Sequence, residues 1–175
     1  MKTSAIILLI AASFLTACVS PSERGAGASK VLTSVDCELH FSSTGLPNIH
    51  TIEYTITRDA KIRQVDDDWE RKWFKKRTSA RHLTLEGWQK FQKTLARLDV
   101  YRWKPTYSPR HMIYDGYGWK FRISDGTRTV ESRGGNAGPS PDNPKETASY
   151  FDDRKTSADT ILSAALDDLW KSSLR

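Results

Sequence analysis

Residues 119–133, WKFRISDGTRTVESR, constrain the fold of this chain more than any other stretch. Two runs of alternating apolar and polar residues flank Asp125-Gly126, a dipeptide suited to tight hairpins because it tolerates positive φ. Period two assigns Trp119, Phe121 and Ile123 to one face of a strand and Lys120 and Arg122 to the other. A two-residue turn at Asp125-Gly126 pairs Phe121 with Val130 on the apolar face. It pairs Lys120 with Glu131, opposite charges, on the polar face. A hairpin with one apolar face is marginal alone, so the chain must supply more strands or helices to cover it.

Those elements are readable upstream. Val35, Cys37, Leu39 and Phe41 alternate with Asp36, Glu38, His40 and Ser42, which predicts a strand with Cys37 on its buried face as a small hydrophobe. STGLPN (43–48) reads as a turn. Ile52, Tyr54 and Ile56 mark a second strand, hairpinned to the first. After Asp59-Ala60, KIRQV (61–65) is a third, closed by a solvated acidic turn over Asp66, Asp67 and Asp68. Residues 69–77 fit either a strand or a helical turn with Trp69 and Trp73 inward, and periodicity does not choose.

Two helices follow the same logic. Thr84 is a natural N-cap, Glu86 sits in the first turn where the helix dipole favours an acid, and Leu83 can staple to Trp88. Trp88, Phe91, Leu95 and Leu98 then form one apolar stripe at helical spacing. Near the end, Ala158, Ile161, Leu162, Ala165, Leu166 and Leu169 line a second helix. Between hairpin and last helix, GGNAGPSPDNP (134–144) reads as loop. Strands and helices do not alternate one for one, which argues against a parallel sheet. The fold expected is α+β, an antiparallel sheet of about five strands with two helices packed on one face.

The first residues belong to a different grammar. Lys2 precedes an apolar stretch from Ala5 to Ala17, too short to span a bilayer, which needs roughly 20 apolar residues. A basic start, a short apolar run and small residues before a cut make a secretory signal peptide. Leu15-Thr16-Ala17-Cys18 resembles the lipobox of bacterial lipoproteins. The resemblance implies removal of residues 1–17 and lipidation of Cys18. By that family's convention Val19 after the cysteine, rather than Asp, implies the outer membrane. Residues 18–32 then form a flexible, small and polar tether, and 33–175 a single domain facing the periplasm. With Cys18 committed to lipid and Cys37 to the core, no disulfide is expected within the mature chain.

A second resemblance covers about residues 50–170. Leu83-Thr84, Trp88 and Phe91, Trp103, Tyr107, Asp115-Gly116, Trp119, Gly135-Asn136 and Pro139 follow one another as in small uncharacterised bacterial envelope lipoproteins. It implies the architecture and no chemistry.

No motif in the sequence identifies a reaction. The histidines His40, His50, His82 and His111 are scattered, without a metal-ligand spacing. There is no Gly-x-Ser-x-Gly elbow. The paired acids at Asp66–Asp68, Asp152-Asp153 and Asp167-Asp168 read as solvated turns or helix surface. SRGGNAGPS (132–140) has glycines and an arginine fit for an anion nest, yet lacks a P-loop lysine-serine and reads better as the loop after a hairpin. No catalytic, cofactor-binding or metal-binding residue is assigned, and no cofactor is expected. The formal charge of +6 favours anionic surfaces, but both signs are interspersed, and an exported protein rarely meets nucleic acid.

One cluster invites a binding role. Trp103, Tyr107, Tyr114, Tyr117 and Trp119 crowd the approach to the hairpin, where aromatic rings either complete a wet-edged core or stack on sugars. The candidate binding surface is Tyr107, Tyr114, Asp115, Tyr117 and Asn136. The function expected is a module that binds another envelope protein or a cell-wall glycan while held to the membrane by its lipid. An enzyme of wall or lipid metabolism and an immunity-type inhibitor of a toxin are the alternatives.

Overall fold

A computed structural model of the chain describes residues 23–24, 30–45, 50–68, 77–109, 116–150 and 156–174. Among them the elements run β1 (Glu23–Arg24), β2 (Val31–Leu32), β3 (Glu38–Gly45), β4 (His50–Thr57), β5 (Lys61–Asp68) and β6 (Arg77–His82). Helix α1 (Leu85–Arg97) is followed by β7 (Thr106–Tyr107), β8 (Gly118–Ser124), β9 (Thr129–Gly135), β10 (Ala137–Pro139), β11 (Thr147–Ser149) and α2 (Ala158–Ser172). The architecture is mixed α/β. Seven strands form one sheet in the order β6-β5-β4-β3-β8-β9-β7. Every pairing in it is antiparallel except that of β7 with β9.

The sheet exceeds the expected five strands because β6 and β7 join its edges. Two stretches read as turns are strand instead. Ser43, Thr44 and Gly45 continue β3, and Asp66, Asp67 and Asp68 continue β5. Both extensions pair with β4, and β3 also pairs with β8. The ladder satisfies backbone groups that a turn would leave to solvent, which outweighs the weak turn preference of Ser, Thr and Asp. Within the stretch read as loop, Ala137–Pro139 pairs with Thr147–Ser149 as a two-stranded ribbon. The undecided residues 69–76 lie outside the described residues.

Alternation sorts β3, β4 and β8 into a buried and an open face. Leu39 and Phe41, Tyr54 and Ile56, Ile62, then Trp119, Phe121 and Ile123 share one core with Trp88, Phe91 and Leu95 of α1 and Leu162, Leu166 and Leu169 of α2. Cys37 is 0 % exposed among them. Helix α1 begins as its sequence implies, with the Thr84 hydroxyl accepting the Gly87 N–H at 3.2 Å. The span read as tether ends docked on this core. Leu32 is buried, its N–H donates to the Leu83 carbonyl at 2.9 Å, and the Lys30 carbonyl accepts from Leu85 N–H at 2.8 Å.

The central hairpin forms in a different register from the one expected. Phe121 faces Ser132, Ile123 faces Val130, Arg122 faces Glu131 and Lys120 faces Arg133. The two-residue turn sits one position later, at Gly126-Thr127, closed by Asp125 N–H to the Arg128 carbonyl at 3.2 Å. Gly126 has φ +87°, and positive φ at the first central residue is what a type II′ turn reserves for glycine. The Asp125 carboxylate accepts from the Thr127 and Arg128 N–H groups, each at 3.0 Å, and from Arg128 Nε at 2.9 Å. Burial alone would raise its pKa, yet these bonds hold the carboxyl well below the usual range. A turn displaced by one residue moves the pairing by two, so every side chain keeps its face while its neighbour changes.

Candidate functional site

The aromatic surface read from sequence divides. Tyr107 is 1 % exposed. Its hydroxyl donates to the Pro144 carbonyl at 2.5 Å and accepts the Lys104 N–H at 2.8 Å. Its ring stands 6.0 Å from that of Trp119, which packs on Trp103 at 5.7 Å. These three rings are core. Tyr114 and Asp115 lie outside the described residues. Tyr117 and Asn136 are brought together, but as a clasp. Asn136 adopts φ +53° and accepts the Tyr117 N–H through Oδ1 at 2.9 Å, while its own N–H donates to the Tyr117 carbonyl at 2.7 Å.

Behind that clasp sits a buried acid absent from the sequence reading. Asp159, in the first turn of α2, is 0 % exposed. Tyr150 donates its hydroxyl to Oδ2, while Oδ1 is buried without a hydrogen-bond partner. Burial pushes this carboxyl above its ordinary range despite the Tyr150 bond. Tyr150 stacks edge-on against Tyr117 at 5.1 Å. Burial first, then the Asp159 charge, raise the Tyr117 hydroxyl to about 12. The cluster fastens α2 to β10.

The open face of the sheet has the shape of a site. Strand alternation lays its residues out in cross-strand rows. One row reads Thr51, Thr44, Gly118, Gly135, and the next reads Glu53, Ser42, Lys120, Arg133. Together with Thr106, Tyr107, Ser108, Trp119 and Gly134 they line a groove of about 420 Å³. The Thr44 and Thr51 hydroxyls hydrogen-bond each other at 3.1 Å. Gly118 and Gly135 are direct partners across the ladder, and neither has a positive φ. A Cβ at Gly135 would meet nothing within 4 Å, and one at Gly118 only the Gly134 carbonyl at 4.0 Å. The fold does not need glycine at either position. What the two glycines do is keep the groove open.

Charge in the groove is arranged against the economy of the sheet. Lys120 and Arg133 stand directly opposite each other, both exposed, and like charges so placed are destabilising. One row away the same hairpin sets Arg122 opposite Glu131, with an ion pair of 3.1 Å. Neither Lys120 nor Arg133 has an ion-pair partner among the described residues. Glu53 lies two strands from Lys120, roughly 10 Å at the usual strand spacing. The groove therefore offers two cations at one end, hydroxyls along its length and an acceptor at the other end.

This site escapes sequence reading because it depends on register. The turn expected at Asp125-Gly126 would have neutralised Lys120 with Glu131. Among the described residues no three His, Cys, Asp or Glu side chains gather as a metal centre requires. The groove can hold and orient a polar ligand. Comparison with models of known families found no match, nor did comparison with curated proteins.

Proposed function

We propose that this chain is an envelope lipoprotein, anchored through Cys18 to the outer membrane with its domain in the periplasm, that binds another envelope component through the open face of its sheet. The helices pack on one face of the mostly antiparallel sheet, and the groove lies on the other. The observation that carries the binding role is the pair of facing glycines, Gly118 and Gly135, which leave space over the sheet that neither backbone strain nor packing requires. Proteins rarely maintain such concavities without use, and ligand sites combine concavity with a few convergent polar groups. The ligand class is a partner protein or a cell-wall polymer.

Anchoring rests on Leu15-Thr16-Ala17-Cys18 at the end of the apolar stretch. A single acyl chain holds a protein to a bilayer only marginally, whereas a diacylglyceryl thioether with an acylated amino group gives durable attachment, at about 0.8 kcal/mol per buried methylene. No helix among the described residues is long and apolar enough to cross a membrane, and the proposed anchor requires none. Cys18→Ser should abolish labelling by a palmitate analogue in cells and release the chain from the membrane fraction. Label that persists on Cys18→Ser would defeat the anchor.

A further inference from the structure

Resting on the binding role proposed above, we infer that the groove selects a polyhydroxylated chain bearing sparse oxyanions, an anionic glycan in chemical class. Three features lead there. Lys120 and Arg133 face each other across the β8–β9 ladder without an ion-pair partner among the described residues, while the neighbouring row of the same hairpin is neutralised. An oxyanion seated over the pair removes their mutual repulsion, and the planar fork of Arg133 suits carboxylate or phosphate equally.

The rest of the groove sets the character of the chain that carries the anion. Ser42, Thr44 and Thr51 present hydroxyls beside the Tyr107 and Trp119 part of the lining, so the matching ligand combines donors and acceptors with an apolar face, as a sugar ring does. Glu53 then limits charge density. Lying two strands from Lys120, it repels a second anion about 10 Å along and accepts hydrogen bonds from hydroxyl groups instead. A densely charged polyanion such as a nucleic acid meets repulsion at that end. A protein surface would need its own acidic side chain placed over Lys120 and Arg133, and is the weaker fit.

The test uses the full chain in detergent, titrated with oligogalacturonate, a glycerol-phosphate oligomer and uncharged dextran, and with vesicles of phosphatidylglycerol in phosphatidylethanolamine. Binding to at least one charged oligomer, weakening as salt rises, and none to dextran is the expected result. The tighter of the two charged oligomers tells carboxylate from phosphate. Lys120→Gln and Arg133→Gln should each weaken binding about tenfold or more with the melting temperature unchanged or slightly raised, since neither side chain is buried or ion-paired among the described residues and each change relieves their mutual repulsion. Binding that is equal in the variants, absent for both charged oligomers, matched by dextran, or stronger to the vesicles overturns the inference. The fate of the broader binding role is read separately, from crosslinks formed at position 135 in cells. A protein trapped there removes the glycan and keeps the role, whereas no specific capture at all removes both.

Discussion

Trp119→Ala is expected to cost the domain about 3–5 kcal/mol, a large part of the roughly 5–15 kcal/mol that holds a domain folded. Trp119 is 2 % exposed and wedged between Trp103 and Tyr107. Truncation leaves a cavity that the flanking rings, fixed by their own hydrogen bonds, cannot close. Trp103 Nε1 donates to the Leu98 carbonyl at 2.9 Å, and the Tyr107 hydroxyl is held from both sides. The indole N–H is lost as well. It donates to the Ala137 carbonyl at 2.9 Å, and an acceptor buried without its donor adds to the penalty. Denaturant unfolding of the variant beside the parent measures the cost. A loss below about 1 kcal/mol would mean that this side of the sheet is loosely packed.

Gly138→Ala should also be strongly damaging, because a Cβ there would stand 1.7 Å from Asp159 Oδ1 and 3.0 Å from Ser157 Cβ. The strand or the start of α2 must move, and overpacking of this kind costs about 1–3 kcal/mol, occasionally more. The Asp159 carboxyl has nowhere to go, since Tyr150 holds its other oxygen. Asp159→Ala removes the obstructing oxygen, so the double variant should be more stable than the two single losses added together. A double-mutant cycle reads that coupling. Strict additivity, or a neutral Gly138→Ala, would show that β10 and α2 are not locked in this way.

The faces of the strands are legible in the sequence, as is the pairing of β3 with β4, whereas the register of the central hairpin is not. Period two placed Trp119, Phe121 and Ile123 inward, and helical spacing placed Trp88, Phe91 and Leu95 inward, whatever the rest of the chain did. Register depends on where a turn closes, and Asp125 offered two choices. Its carboxylate caps Thr127 and Arg128, which puts the turn at Gly126-Thr127 rather than at Asp125-Gly126. Face assignment survives such a shift, so the fold reading survived with it. The candidate groove did not, because it is made of cross-strand neighbours on the polar side, where alternation says only that residues are exposed. Asp159 illustrates the same limit. In its helix it reads as a first-turn acid, and only Gly138 and Tyr150, brought in by the loop after the hairpin, show that it is buried.

The most direct test of a fold whose open sheet face is kept for a ligand is to place a photoreactive phenylalanine analogue at position 135 in the intact, lipidated chain in cells. Lys93, exposed on α1, takes the same analogue as a control. Illumination should trap one envelope component from position 135 and not from position 93, with both chains melting like the parent, since a Cβ at Gly135 meets no described atom within 4 Å. The same products from both positions, or none from position 135, would contradict a binding role for this face.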